Sequence, residues 1–476
     1  MQPGYWFPPL LALFLVFLVK VQCSIRQLKV EEFQIKLDKK LAFSTPSAQS
    51  TNPIKKEGRV LYPIGYGADP TGEEDSNSAI MEAIGDALKL HKNGAELLPG
   101  IKDLGGLIVD LQGGDFKIST PIVFPSGVGN LVVQGGTLRA SDTFPGNRHL
   151  IELEDDSKDK PGVIHYEDVT FRDILFDSSF RGGGVMVVDS ARIRVTNCFF
   201  LHFTTQGILV RRGHESFISN TFLGQHPTVG GSSEEKGFSG TAVDLDSTDN
   251  AVTDVVIFSA AIGVVLRGQS NMITGVHCYN KASTFGGVGI LVKAAQNRID
   301  DCYLDYNSIV IEDPQWVHIT NGYFLGDANV VLKSVSGRVS GLNIVNNIFI
   351  GDPNRMVPTV HIDGAFKDVN QVVIDHNSVN GMRLKSTTGR MTVAGNGTRW
   401  VADFSPLLVF PNRINHFHYS FYSKGGGGGV GEFPVHAVTN ISRNMVVVES
   451  EKAVQALVSV LVDQNNMFGD ENVVAI

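Results

Sequence analysis

Ile299-Asp-Asp-Cys-Tyr-Leu304, Ile319-Thr-Asn-Gly-Tyr-Phe324 and Ile344-Val-Asn-Asn-Ile-Phe349 are copies of one short phrase. Each has a β-branched residue, then Asn, Asp or Gly, then an aromatic or aliphatic pair. The phrase recurs along the chain, with its Asn/Asp/Gly marker at Asp173, Asn197, Asn220, Asp254, Gly275, Asp301, Asn321, Asn346 and Asp375, at steps of about 25 residues. A drifting period of that length in strand-type sequence reads as a solenoid in which every coil adds one rung. Asn and Asp tolerate left-handed backbone at a turn and hydrogen-bond along a stack. One rung cannot bury its own apolar face; stacked rungs can. The fold expected is all-β, a right-handed parallel β-helix.

Between the markers runs a second set of strands, exemplified by Gln206-Gly-Ile-Leu-Val-Arg211 and Val288-Gly-Ile-Leu-Val-Lys293. Their period of two points Ile208/Val210, Val243/Leu245, Val264/Leu266, Ile290/Val292, Ile309/Ile311, Val330/Leu332 and Val360/Ile362 inward. Outward then falls a column of Arg211, Asp246, Arg267, Lys293, Glu312, Lys333 and Asp363, with Asp244 and His361 in the column beside it. Rungs ~4.8 Å apart turn these charges into a ladder along the long axis, where an extended polymer would lie.

Asp244 and Asp246 stand at i and i+2, so their Cα atoms are ~6.6 Å apart. Two carboxylates roughly 6.5–9.5 Å apart leave room for a water, the inverting glycosidase arrangement. One would protonate the leaving oxygen and the other orient the water, and their like charges would raise one pKa. Asp249, just past the strand, is a third candidate carboxylate. Arg211, Arg267 and Lys293 would pair with the carboxylates of an acidic sugar chain, and His214 would help position a proton. The bland reading of the same residues is a solvated face whose charges serve solubility and edge protection, with His214 a surface histidine. No spacing of His, Cys and carboxylate resembles a zinc site, and no metal or other cofactor is expected.

The 476 residues are 42% hydrophobic and 19% charged, with 51 Gly and 4 Cys. That is too apolar for disorder and too cysteine-poor for a disulfide scaffold. A net charge of −9 gives no basic field for nucleic acid. Residues 10–19 form an apolar run too short for a bilayer span, followed by Val21 and Cys23, which suit cleavage before Ser24. The expected organisation is a signal peptide at 1–23, a polar extension at 24–57, the β-helix catalytic domain at 58–400, and closing strands with a glycine-rich loop (425–429) at 401–476. A helix beginning after Asp75 or Ser76 and running to about Leu90 caps the first coil. Segment 444–462 reads as terminal strands or a short helix. The mature chain is expected to be a secreted, extracellular monomer with no membrane partner. Sequons at Asn396-Gly-Thr398 and Asn440-Ile-Ser442 are expected to carry N-glycans. Cys198, Cys278 and Cys302 then read as small buried hydrophobes.

Tyr66-Gly-Ala-Asp-Pro-Thr-Gly-Glu-Glu-Asp75 with Ala79-Ile80 resembles the opening motif of pectin-acting β-helix proteins, and Gly105-Gly-Leu-Ile-Val-Asp110 with Pro125-Ser-Gly-Val128 resembles their first coil. Over residues 58–400 the chain resembles plant polygalacturonases of the quartet type, in the pectin lyase-like superfamily and related to glycoside hydrolase family 28. The resemblance implies inverting hydrolysis of α-1,4-galacturonan (pectin) in the cell wall, without a metal, and a link to the separation of pollen cells. Typical members carry Asn-Thr-Asp, Asp-Asp, Gly-His-Gly and Arg-Ile-Lys on successive ladder strands. Here those positions hold Thr204-Thr205-Gln206, Thr241-Ala242, Ala260-Ala261 and Leu291-Val292-Lys293, so only Lys293 transfers. Asp244 and Asp246 are the candidates from the residues themselves. Two other functions compete: a polyuronate lyase, with Arg211 or Lys293 abstracting a proton beside Ca²⁺ held by Asp244 and Asp246, and a non-catalytic pectin-binding solenoid.

Overall fold

A computed structural model describes residues 59–89, 95–154, 163–225, 239–280, 287–423 and 434–466. The expected signal peptide, the extension at 24–57 and the glycine run at 425–429 lie outside the described residues. The expected parallel β-helix is what forms: 33 of the described strands join one sheet, and from Val128 to Asn380 each rung pairs in parallel with the next.

One coil shows the plan. Arg194–Thr196, Phe199–Leu201 and Gln206–His214 are followed by Phe217–Ser219, Phe222–Gly224 and Thr241–Thr248. The register sets Val195 on Ile218, Phe200 on Leu223 and Val210 on Leu245. Every inward residue expected on the ladder strands is buried except Ile362, which is half-buried. Among the described strands its own, Val360–Asp363, pairs with only one ladder neighbour, so no further described rung of that set covers it. Flat stacks such as Phe176–Phe200 (4.5 Å) and Phe324–Phe349 (4.4 Å) fill the lumen.

The marker residues make the corners. Asn197, Asn220, Asp254, Asp301, Asn321 and Asn346 have φ of 54, 48, 53, 51, 56 and 60°. In the last coil the left-handed residue is His376 (φ 55°), not Asp375, because Asp375 still pairs with Val345 as the third residue of its strand. The sequence pattern slips by one there. A second asparagine stack lies inside another corner: the amide of Asn250 donates to Asn271 Oδ1 (3.1 Å), and that of Asn271 to Asn297 Oδ1 (2.9 Å), with all three side chains buried.

The helix Asn77–Lys89 caps the first coil, burying Ala79, Ile80, Ala83, Ile84 and Ala87. Asp75 anchors its start by accepting from the Asn77 amide and the Ser119 hydroxyl (2.6 Å). Asp69 ties the preceding loop: its carboxylate accepts from the amides of Glu74, Thr71 and Glu73 and from the Thr71 hydroxyl, which holds its pKa down to about 2.

At the other end Thr388–Asp403, His416–Ser423, His436–Ser442 and Met445–Asp463 form a four-stranded antiparallel sheet with its own core around Trp400, Phe404, Val448 and Val460. Thr388–Asp403 runs across the expected division at 400, and the expected terminal strand is Met445–Asp463. Asn396 and Asn440 are exposed on this sheet. Among the described residues no helix is long and apolar enough to cross a membrane.

Candidate active site

The apolar alternation that fills the lumen leaves every second ladder-strand residue outside, and the register decides which of them meet. Arg211 pairs with Asp246. Leu245, Leu266 and Val292 stack on one another, which places Asp246, Arg267 and Lys293, each next in sequence, in one column. Glu312, Lys333 and Asp363 continue it.

Asp244 is 4% exposed, between the buried Leu209 and Val265 of the adjoining rungs. A carboxylate with apolar flanks needs a partner, and Arg267 supplies it from the next coil: Nε to Oδ1 at 2.8 Å and Nη2 to Oδ2 at 3.1 Å. These bonds raise the guanidinium's pKa further, so the fork stays charged. Asp246 is half-exposed, with Arg211 Nε 3.9 Å from Oδ2, within ion-pair reach but too long for a hydrogen bond. Glu312 sits between two lysines, Lys333 at 3.1 Å and Lys293 at 3.5 Å. The like-charge repulsion expected between Asp244 and Asp246 is met by Arg267.

Two sequence candidates fall elsewhere. Asp249 lies at the left-handed corner after the ladder strand (φ 58°), where its carboxylate accepts from the Thr248 hydroxyl at 2.9 Å. His214 is level with Thr248 beyond a register shift, and its Nδ1 faces Glu215 at 3.6 Å. Asp249 stands past the end of its ladder strand and His214 beyond the register shift, and among the described residues neither bonds to Asp244 or Asp246.

The sequence did not announce a polar cluster at the head of the same face. Glu152, Met186, Leu209 and Asp244 share one outer column. Glu152 is buried and accepts from Arg148 Nε (2.8 Å) and the His149 amide (2.9 Å). His149 Nε2 contacts Gln206 Oε1 at 3.3 Å, while its Nδ1 has no hydrogen-bond partner among the described residues. Burial above all pushes the His149 pKa down to about 4, with Arg148 and Arg211 adding to the effect against the pull of Glu152. Gln206, which the resemblance sets where the family motif has its acid, is thus held by a neutral imidazole 57 residues away in sequence. Only the coil register reveals that contact. Met186, Val188 and Leu209 form a small apolar shelf on the outer face beside it.

Among the described residues no three or more His, Cys, Asp or Glu side chains are grouped to hold a metal. Of the pair that the lyase reading gives to Ca²⁺, Asp244 accepts from Arg267 at both oxygens, while Asp246 stands half-exposed beside Arg211. Cys198, Cys278 and Cys302 are unbridged and buried, as expected, and burial pushes their thiols up, to about 12 for Cys198 and Cys302.

A long solenoid with a ladder of mixed charge on one outer face defines a class: parallel β-helix proteins built along an extended site. Within it, comparison with known sequences is specific. Polygalacturonase QRT3 of Arabidopsis thaliana is 50% identical over 414 residues, covering 85% of this chain and 84% of that protein. The chain belongs to the polygalacturonase family, of the quartet type, and is thus a glycoside hydrolase. No family model matches it. Solved structures similar to it include the A-module of mannuronan C-5 epimerase AlgE6 of Azotobacter vinelandii (TM-score 0.43, 13% identity, covering 68% of this chain and 98% of that one). The catalytic unit of the GH87 alpha-1,3-glucanase of Streptomyces thermodiastaticus is another (TM-score 0.43, 15% identity, covering 71% and 65%).

Proposed function

We propose that this chain is a secreted polygalacturonase that hydrolyses the α-1,4-galacturonosyl bonds of pectin in the plant cell wall, with inversion, during pollen cell separation. The observation that carries the substrate is the 50% identity to a protein named polygalacturonase across most of both chains.

The geometry supports a division of labour. Asp246 is the half-exposed carboxylate without a hydrogen-bonded cation, so it can reach the leaving oxygen and acts as the acid. Asp244, held by Arg267, keeps a second lone pair on each oxygen for the attacking water. Arg211 and Lys293, together with the outer edge of Arg267, pair with uronate carboxylates along the column. His214 and Asp249, set at the corner, take no part in the bond cleavage. The protein works as a monomer without a metal.

One observation favours a second reading, a non-catalytic pectin-binding solenoid: the family's acids are replaced at Gln206, Thr241 and Ala242, and its histidine is absent at Ala260-Ala261. Purified protein incubated with polygalacturonate separates the readings. Hydrolysis raises reducing ends with no ultraviolet-absorbing unsaturated uronate and is indifferent to a chelator. An absorbing product means a lyase. Retention on pectin with unchanged viscosity means binding alone.

A further inference from the structure

Trp316 is anomalous in its stack. The corner before each short strand is left-handed, and its occupants on successive coils include Glu215, Asp249, Ser270, Gln296, Trp316 and Gly341, with φ of 56, 58, 62, 62, 50 and 63°. A bulky aromatic residue in that region is an outlier that the surroundings must hold in place. Here the Trp316 amide donates to the Ser340 carbonyl at 2.8 Å. The coil above has been kept bare for it: a Cβ on Gly341 would lie 2.4 Å from Trp316 Cδ1. The indole nevertheless remains 52% exposed.

It borders a shallow hollow of about 410 Å³ lined by Gln296, Arg298, Trp316 and His318. Arg298 and His318 are register partners on adjoining rungs, ~4.8 Å apart. The guanidinium of Arg298 has no ion-pair partner among the described residues, unlike the cations of the ladder. The His318 ring is tied to Asn343 at 3.0 Å, and burial, then Arg298, lowers its pKa, so it adds a neutral wall. An unpaired guanidinium beside an open indole fits a sugar ring that offers C–H bonds on one face and a carboxylate at its rim. The hollow lies just around the corner from the ladder, with three residues separating Glu312 from Trp316 and four separating Lys293 from Arg298.

The geometry points to an accessory galacturonate-binding site at Trp316 and Arg298, which anchors a stretch of the polymer outside the catalytic ladder. This rests on the reading of galacturonan as the substrate. Of the three tryptophans in the sequence, Trp400 is buried and Trp6 precedes the expected cleavage point, so exposed-tryptophan emission in a chain starting at Ser24 belongs to Trp316.

The test is a fluorescence titration of the full mature protein with trigalacturonate, with neutral galactotriose as control. A saturable change is expected with the acidic trimer only, and Arg298→Ala should weaken it about tenfold. Trp316→Ala should weaken retention on polygalacturonate by about tenfold, with circular dichroism and turnover of trigalacturonate unchanged. A silent Trp316, an equal response to galactotriose, or full affinity in Arg298→Ala overturns the site. Hydrolysis of polygalacturonate with a silent Trp316 removes this inference alone. A saturable acidic-trimer response without hydrolysis supports the site and removes the enzymatic reading.

Discussion

Asp244 is held so closely by Arg267 that the two residues stand or fall together. Arg267→Ala leaves a carboxylate in an apolar pocket without its partner and should cost about 2 kcal/mol in urea unfolding. Adding Asp244→Asn should recover much of that loss, and a double-mutant cycle with no coupling would show the fork to be idle. His149 has the opposite logic, a base buried neutral. Its pKa in the folded protein, about 4, lies below the unfolded value of 6.5, so its contribution is complete above pH 6.5 and is lost as pH falls toward 4. His149→Gln should flatten the decline of Tm across that window; an unchanged slope would mean that other groups carry it. These two contacts also mark what a sequence can and cannot disclose about a site. Strand alternation put Arg211, Asp246, Arg267 and Lys293 in one column correctly, because period and register are both set by apolar burial. The fork from Arg267 reaches diagonally to Asp244, not along the column to Asp246, and side-chain reach is not written in a period of two. Asp249 stands at the corner and His214 next to it, and where the strand ends has no sharp signal in those letters.

At the scale of the element, the corner is the unit that repeats. Coil lengths drift because the outer loops vary, but the left-handed residue does not, and that is why the markers were readable from sequence through eight coils. They failed at the ninth, where Asp375 and His376 are both acceptable turn residues and only pairing distinguishes them. The inner stack of Asn250, Asn271 and Asn297 was not readable at all, since asparagine at a corner gives no hint of which way its amide points. Asn271 is its middle member, accepting from both the amide and the side chain of Asn250 (3.1 and 2.8 Å). Asn271→Ala would strand two buried donors and should cost about 3 kcal/mol in chemical denaturation, far more than an exposed Asn→Ala change. A loss under about 0.5 kcal/mol, the size of a surface effect, would mean that the stack is ornamental.

At the scale of the whole molecule, the solenoid converts a repeat too short to fold alone into a rod, with the helix Asn77–Lys89 closing one end and an antiparallel sheet at the other. The lumen is one continuous apolar core, so function is confined to what the outer columns present. Those columns carry an extended row of charge in which Asp246 is the half-exposed carboxylate next to the Arg-held Asp244. The most direct measurement is the rate at which Asp246→Asn protein releases reducing ends from polygalacturonate beside the unaltered chain, with circular dichroism confirming that both are folded. Loss of the acid should lower kcat by roughly 10²–10⁴-fold; hydrolysis at the unaltered rate would contradict the assignment of the ladder as the catalytic face.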